Sequence, residues 1–416
     1  MSLPILSPSF LLPFLLLAPF LLLLSHYRPS TSKRDFPPSP SRLPIIGNLH
    51  QLTGSLPHRS LASLSNKHGP LMLLHLGQIR TLIISSPEIL QEVVETQDAI
   101  FSGRPSLVVA NKLLYGSKDV AFAPPGDYWR NMKSLIVSHL VSPQRIQSYC
   151  LLREQAVASM IDNIMKLSSL GPQMNLSDPI TIFAKEVFSA IVFNKRSREE
   201  GWNEVADVLI KESNDLLGSF HFGDYFPRLS WLSTLSGFDA RLERTFSKVD
   251  KILEQIIEDR RSGDSKSINH GSELDSFVDI LLSLQKDSKT GSLLDEESIK
   301  AFVGDTFGGG TIVTALILEW AMAELVRTPE AMKKLQKELR SKVGVKIIMK
   351  NEDLVAMTYL KSVIKEALRL HTPSPFLVPR EVIQNTRVQG YEIPKQTRVT
   401  LAAQSIGKSW GDGFLA

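Results

Sequence analysis

Residues 365–381 read KEALRLHTPSPFLVPRE, and this stretch decides how the rest of the chain is interpreted. Glu366 and Arg369 are three residues apart, so an α-helix places them on one face. If exposed, such a pair contributes only ~0.2–0.5 kcal/mol. The neighbouring residues are apolar, however, and a charged pair in apolar surroundings needs further partners. Pro373 and Pro375 follow, and they predict that the helix ends before them.

A second unusual helix lies upstream, at residues 294–327. Its centre reads GDTFGGGTIVTALILEWAMAEL (304–325), with three adjacent glycines at 308–310. Each glycine in a helix interior costs about 1 kcal/mol relative to alanine. Either another group packs closely against the backbone there or the segment divides into two helices at the glycines. The sequence leaves both open.

The rest of the body is predicted to be helical, with a minor sheet. Two β-rich runs, 71–77 and 79–85, predict a hairpin, and a second strand pair is predicted within 385–402. Helical periodicity and proline or serine start signals predict the helices. Their predicted ranges are 57–68, 87–97, 126–140, 143–166, 178–191, 202–218, 238–262, 274–286, 294–327, 329–342 and 358–370.

The amino-terminal segment predicts a membrane anchor. Residues 3–24 are apolar and uncharged, long enough at about 1.5 Å per residue to cross a hydrocarbon core of roughly 30 Å. Basic residues follow at 28, 33 and 34, which places that flank on the cytoplasmic side. A cleaved signal is the alternative, but no basic region precedes the apolar run. We therefore expect an anchor at 1–27 and a stiff, proline-rich hinge at 28–52.

Composition excludes several classes of function. The chain has 47 Lys and Arg against 43 Asp and Glu, a balance without the signature of nucleic-acid binding. Its single cysteine, Cys150, allows neither an internal disulfide nor a cysteine-type zinc or iron–sulfur site. We expect the folded body in a reducing compartment.

Taken in order, the motifs resemble the cytochrome P-450 family of haem-thiolate monooxygenases, particularly its plant microsomal members. The resemblance extends over nearly the whole chain, from the anchor onward. The matching motifs are FPPSPSRLPIIGNLHQL (36–52), FSGRP (101–105), PPGDYWRNMK (124–133), DYFPRLSWL (224–232), the glycine helix ending in LEWAMAEL (318–325), KEALRLH (365–371), PFLVPRE (375–381) and GYEIPKQTRV (390–399).

The resemblance implies a role for each matching position. Glu366 and Arg369 correspond to the family's structural E-x-x-R pair. Trp129 and Lys133 correspond to W-x-x-x-R, which binds a propionate of haem b, although lysine lacks the forked geometry of arginine. Arg380 corresponds to a second propionate ligand. Without the resemblance, these three residues are an ordinary surface aromatic and two solvated cations.

The glycine helix departs from the family's A/G-G-x-D/E-T-T/S pattern. Gly309, Gly310 and Thr311 match, but Ile312 and Val313 stand where an acid and an alcohol relay protons. Neither side chain can accept or donate a proton, whereas general acid–base catalysis typically raises a reaction rate by about 10²–10⁴-fold. Only Thr314 remains as a candidate catalytic alcohol.

The second departure concerns the iron ligand. The family holds iron with a cysteine thiolate in a loop of the form F-x-x-G-x-R-x-C-x-G, and no such loop occurs in the residues given. Cys150 lies in a helical pattern and is interpreted as a small buried hydrophobe. We therefore expect a domain at 53–416 that lacks its carboxyl-terminal haem-ligand portion, with no metal ligand. The family's P-E-R-F segment, whose arginine completes the network of Glu366 and Arg369, does not occur either, so we expect this pair to be under-satisfied and a source of instability.

These features lead to one functional expectation with two alternatives. The resemblance implies a single-pass protein of the endoplasmic reticulum whose body faces the cytoplasm. It would oxygenate a small hydrophobic substrate, a plant specialised metabolite, with NADPH electrons from a reductase that docks on cations such as those of 333–346. The chain as given is expected to be inactive. The alternatives are a non-catalytic, membrane-tethered binding module and, for a full chain, a haem isomerase or dehydratase.

Overall fold

The computed structural model describes residues 35–53, 56–169, 171, 173–195, 201–262, 275–287, 291, 294–343 and 351–409. The predicted anchor at 1–27 and the hinge as far as residue 34 lie outside these ranges. The described chain is mainly helical with two small sheets, as predicted.

The larger sheet joins the two ends of the described body. Its strands are β1 (Leu71–Leu76), β2 (Ile79–Ile84), β3 (Arg380–Glu381) and β6 (Arg398–Leu401), in the order β1-β2-β6-β3. The predicted β1–β2 hairpin is confirmed, with Leu71 opposite Ile84. Strand β6 runs parallel to β2, whereas β3 is antiparallel to β6. A separate hairpin of β4 (Thr386–Val388) and β5 (Tyr391–Ile393) confirms the second predicted pair.

The hinge residues that the structure describes lie along this sheet. Residues 35–42 are irregular, as their prolines predict, and the chain then turns into a 3-10 helix at Leu49–Leu52. The amide of Leu73 donates to the carbonyl of Pro38 at 2.9 Å, and the amide of His75 donates to the side chain of fully buried Asn48 at 2.9 Å. The hinge is therefore fixed to the body.

The helices follow the predicted ranges closely, apart from short ones that periodicity cannot reveal. In chain order they are α1 (Pro57–His68), α2 (Pro87–Gln91, continued by a π-turn at Glu92–Thr96), α3 (Val108–Leu113), α4 (Asp127–His139), α5 (Pro143–Ser148), α6 (Cys150–Ser168), α7 (Ser177–Phe193), α8 (Trp202–Asp207, continued by a π-turn at Val208–Glu212), α9 (Ser213–Leu217), α10 (Phe222–Tyr225, followed by a 3-10 turn at Pro227–Leu229), α11 (Trp231–Leu235), α12 (Phe238–Arg261), α13 (Phe277–Lys286), α14 (Glu296–Arg327), α15 (Pro329–Val343), α16 (Asn351–Val355), α17 (Thr358–Leu370) and α18 (Ala403–Ser409).

Helix α14 is the centre of the helical body. Asp295 caps it by accepting a hydrogen bond from the amide of Ser298 at 2.8 Å. It packs against α7, α12, α13 and α17, and fully buried Phe307 meets Phe193 with ring centroids 4.9 Å apart. By length and composition α14 alone among the described helices could cross a membrane, but its place among four other helices is that of a core helix.

Candidate active site

The three glycines lie within one continuous helix, so the division into two helices is wrong. A Cβ atom on Gly310 would lie 2.2–2.7 Å from ring atoms of Phe188 on α7. Glycine at position 310 therefore leaves the space that the ring of Phe188 occupies. A Cβ atom on Gly309 would meet nothing within 4 Å. The helix thus packs tightly on one side of the glycines and is open on the other.

The open side of α14 is a ridge of residues four apart. Asp305, Gly309 and Val313 lie along it, because i, i+4 and i+8 positions lie on one helix face. Asp305 is partly buried, whereas Gly309 and Val313 are exposed. Val313 is 44% exposed. Ile312 is half-buried and packs against the helical core. Thr314 follows Gly310 by one turn and points about 140° around the helix from Gly309. The fold therefore does not bring Thr314 onto the ridge that Gly309 opens.

Asp305 is a titratable group that the sequence interpretation missed. Burial, with a further contribution from the charge of Asp119, raises its pKa to about 7. Asp119 itself is fully buried, and its Oδ2 accepts hydrogen bonds from the amides of Ala121 and Phe122 at 2.8 Å. Its Oδ1 has no hydrogen-bond partner among the described residues. An acid in the middle of a long apolar helix is the signal that could have identified Asp305.

Trp129 and Lys133 lie together on α4, as their spacing predicts. The Lys133 ammonium is 4.7 Å from the centre of the Trp129 ring, within reach of a cation–π interaction. The indole N–H donates to the carbonyl of Val120 at 3.0 Å. The indole donor therefore already has a backbone partner, and the exposed Lys133 ammonium is the group of the two that could receive an anion.

Arg380 lies beside a second guanidinium that was not predicted as a site residue. Arg380 donates to Asp98 at 2.6 Å, and Arg104 donates to the carbonyl of Ala121 at 2.9 Å. Burial lowers the pKa of Arg104, and the nearby charge of Arg380 lowers it further. The charges of Asp119 and Asp98 oppose this repulsion, and a further anion between the two guanidiniums would oppose it more. Arg104 belongs to FSGRP (101–105), so the motif contained the signal.

The Glu366–Arg369 pair, which was expected to be under-satisfied, has one further partner in the structure. Arg369 donates to both carboxylate oxygens of Glu366, at 2.7 and 2.6 Å, and to the carbonyl of Gly407 at 2.7 Å. The third contact exists because α18 packs against α17. A Cβ atom on Gly407 would lie 2.4 Å from the carbonyl oxygen of Arg369, so only glycine allows this approach.

Cys150 is not the buried hydrophobe that its helical pattern predicts. It begins α6, is only partly buried, and directs its Sγ towards the carboxylate of Glu154 at 3.5 Å, one turn along the same helix. Within the described ranges, no three His, Cys, Asp or Glu side chains form a group that could hold a metal. Among the described residues, Arg104 and Arg380 fit the carboxylate end of a haem.

The apolar side chains Leu113, Leu114 and Phe220 lie in two different environments. Leu113 and Leu114 are buried in a small core with Leu216 and Leu242, so core packing explains them. Phe220 is 45% exposed, which leaves it available to a ligand.

Comparisons with known proteins agree with this architecture. The family model described as cytochrome P450 matches residues 37–410. Cytochrome P450 71A1 of Persea americana is 45% identical over 369 residues, which cover 88% of this chain and 73% of that protein. The tabersonine/lochnericine 19-hydroxylase of Catharanthus roseus is 39% identical over 400 residues, 96% of this chain and 78% of that protein.

A solved structure resembles the fold at greater evolutionary distance. A zebra fish cytochrome P450 in complex with progesterone superposes with a TM-score of 0.71 at 25% identity, over 87% of this chain and 82% of the other. The match of the family model across most of the chain, together with these relatives, shows that this chain belongs to the cytochrome P450 family.

Proposed function

We propose that the polypeptide built on this body is a haem-thiolate monooxygenase that inserts one oxygen atom into a small hydrophobic substrate, a plant specialised metabolite. The family match over residues 37–410 carries the proposal. The substrate class rests on the relative from Catharanthus roseus, whose name specifies hydroxylation. The ridge of α14 that is open at Gly309 and ends in apolar Val313 supports a hydrophobic ligand at this place.

Haem would supply the iron that activates dioxygen, and residues of this chain would hold its carboxylates. Arg104 and Arg380 are the best placed, because an anion would relieve their mutual repulsion. A third cation, the exposed Lys133, lies on α4. Cys150, the one thiol of the 416 residues, is held against Glu154 on α6. We infer that these 416 residues alone do not form a thiolate-ligated complex and do not oxygenate.

Asp305 is the residue that we assign to proton handling on the open ridge. Thr314 points away from Gly309, and the side chains of Ile312 and Val313 have no exchangeable proton to transfer. A carboxyl group with a pKa of about 7 holds and releases a proton at neutral pH. Asp305 precedes Gly309 by one helical turn, on the same side of α14.

Two further elements of the proposal concern location and partner. Residues 3–24 would anchor the protein in the endoplasmic-reticulum membrane with the body in the cytoplasm. The NADPH-dependent reductase would dock through cations, and α15 presents exposed Lys333, Lys337 and Arg340 for this purpose. Protease protection of microsomes tests the orientation, since cleavage of the body from the cytoplasmic side is expected and full protection would contradict it.

The spectrum of the reduced, carbon-monoxide-treated protein tests the proposal about haem. The 416-residue chain, expressed with haem supplied, is expected to lack the Soret band of a thiolate complex. A thiolate band that disappears in Cys150→Ser would identify Cys150 as the ligand and overturn the inference. A thiolate band from a longer polypeptide with the same body would support the monooxygenase assignment.

A haem isomerase or dehydratase is a second candidate, favoured by one observation. Val313 is apolar and 44% exposed where the family places a proton-relaying alcohol. Rearrangement of an already oxidised substrate needs no activation of dioxygen. Turnover of organic hydroperoxides by haem-loaded protein, without NADPH or reductase, would favour this candidate over a monooxygenase.

A further inference from the structure

A polar cleft lies at the edge of the larger sheet, separate from the open ridge of α14. It encloses about 410 Å³, within the range of roughly 300–1,000 Å³ typical of ligand pockets. Four parts of the chain form its walls: the β1–β2 turn, the loop before α3, the segment around α10, and the strands β3 and β6 with the loop before β6. A cleft built from such separate segments exists only in the folded protein.

Arg398 is the central charged residue of this cleft. It is 8% exposed and lies opposite Glu381 in the β3–β6 ladder. Its Nη2 donates to the carbonyl of Asp224 at 3.1 Å, and its guanidinium stands 5.4 Å from the centre of the Tyr225 ring. Its Nε–H is buried and has no hydrogen-bond partner among the described residues. A buried guanidinium with a free N–H is costly unless a ligand accepts from it.

Four more charges line the cleft around Arg398. Arg80 and Lys395 are exposed cations, while Asp224 and Glu381 are partly buried carboxylates. Within the described ranges, no ion pair of 4 Å or less involves any of the five residues. The carboxylate of Asp224 instead accepts from the amide of Val108 at 2.9 Å. The cleft thus holds three cations and two acids that do not neutralise one another directly.

We propose that this cleft binds a phosphate-type anion, with the guanidinium of Arg398 at its base and Arg80 and Lys395 at its mouth. A guanidinium presents N–H groups in a planar fork that matches phosphate oxygens. Lysine and arginine at the mouth add point charges for the remaining oxygens. The polar, charged lining disfavours an apolar substrate. This function is independent of the monooxygenase assignment, because it uses none of the residues that line the open ridge.

The phosphate can come from a lipid headgroup or from solution. The β1–β2 turn of the cleft borders the hinge, since the amide of Gly77 donates to the carbonyl of Ile46 at 3.2 Å. The neighbouring amide of Gln78 donates to the carbonyl of Tyr225 at 2.8 Å, which joins the same turn to α10. Nearby on the hinge, Leu43, Ile45 and Ile46 are exposed apolar residues. A membrane surface that meets these residues would bring headgroups to the mouth of the cleft.

Titration of the full chain in detergent with inorganic phosphate forms the first arm of the test. Calorimetry is expected to detect binding that the Arg80→Gln/Lys395→Gln double variant weakens by about tenfold or more. The control double variant Arg241→Gln/Lys251→Gln removes two exposed cations from α12 and is expected to bind like the parent.

The second arm uses the full chain in nanodiscs of phosphatidylcholine with and without phosphatidic acid. Hydrogen exchange of peptides spanning 78–80 and 395–398 is expected to slow with phosphatidic acid, and less so in the cleft double variant. A response to inorganic phosphate supports a soluble source, and a response to phosphatidic acid alone supports a headgroup. No response in either arm, or an equal loss in the control variant, would overturn the proposal.

Arg398→Lys examines the base of the cleft, because lysine keeps the charge and loses the fork. Weakened phosphate binding with an unchanged circular dichroism spectrum is expected. Unchanged binding would remove Arg398 from the site. If this variant does not fold, the exposed double variant decides the proposal, since neither of its side chains is buried.

Discussion

The guanidinium of Arg369 donates to both carboxylate oxygens of Glu366, at 2.7 and 2.6 Å, so that the two side chains form a forked pair on one face of α17. Both side chains are 18% exposed. This geometry is the strongest that an arginine and a carboxylate can adopt. With the carbonyl of Gly407 as a further acceptor, the pair joins α17 to α18.

Glu366→Gln is therefore expected to lower the free energy of unfolding by about 2 kcal/mol, because it leaves Arg369 charged and less well paired. The hydrogen bond from Arg369 lowers the pKa of Glu366, so this stabilisation is present above the ordinary pKa of glutamate and is lost as pH falls through the lowered value. Urea unfolding of parent and variant at neutral and acidic pH measures both effects.

Glu330→Gln is the matched control, since the Glu330–Lys333 pair is almost fully exposed. It is expected to change stability by no more than about 0.5 kcal/mol. An equal loss in both variants would show that the Glu366–Arg369 geometry has no special importance.

Alanine at Gly310 and at Gly309 is expected to have opposite effects. Gly310→Ala forces a Cβ atom against the ring of Phe188 and should cost about 1–3 kcal/mol. Gly309→Ala meets open space and should stabilise the helix by up to about 1 kcal/mol. Thermal melting of the two variants beside the parent makes the comparison. A destabilised Gly309→Ala variant would contradict the open ridge.

Because of Asp305, the free energy of unfolding should fall as pH rises. The pKa of Asp305 is 3.8 as an ordinary side chain and about 7 in the folded protein, so the folded state binds the proton more tightly than the unfolded state. The stabilisation that results is complete below pH 3.8 and is lost as pH rises through about 7. Asp305→Asn is expected to raise the melting temperature relative to the parent more at pH 8 than at pH 5.

The control for Asp305 is Asp127→Asn, at an exposed carboxylate on α4. Its melting temperature should differ from that of the parent by a small amount that does not grow between pH 5 and pH 8. If the advantage of Asp305→Asn were equally independent of pH, the group would not titrate near 7 in the folded state.

Buried Lys300 predicts a further stability effect. Its ammonium lies 2.9 Å from a carboxylate oxygen of Asp250, which also accepts from the hydroxyl of Tyr115 at 2.8 Å. Asp250→Asn should cost about 2–4 kcal/mol, because it leaves a buried cation poorly compensated. Tyr115→Phe should cost about 1 kcal/mol, since it removes one neutral donor. Chemical denaturation ranks the two, and the reverse order would contradict this account.

The sequence predicts most helices because their starts are chemically marked. Ser86 precedes Pro87 and caps α2 through the amide of Ile89, and Pro329 begins α15. The short helices α3 and α10 were missed, because they have too few turns to establish a period. Their positions depend on contacts from distant segments, such as the carboxylate of Asp224 that accepts from the amide of Val108.

Site residues were predictable where a motif fixes both partners and not where the fold brings them together. The three-residue spacing of Glu366 and Arg369 reveals that pair, but the approach of Gly407 depends on how α18 packs. The pKa of Asp305 depends partly on Asp119, which lies far away in the sequence. Repulsion between Arg104 and Arg380 likewise arises only in the folded body.

The parallel pairing of Thr81 with Arg398 has a consequence for synthesis of the protein. The outer edge of β2 has no strand beside it until the ribosome has synthesised the chain as far as β6, more than 300 residues later. During that time the apolar hairpin exposes unsatisfied amides and carbonyls, the kind of edge at which nascent chains aggregate. Binding of the hairpin by a chaperone, or its early contact with the bilayer, would protect this edge during translation.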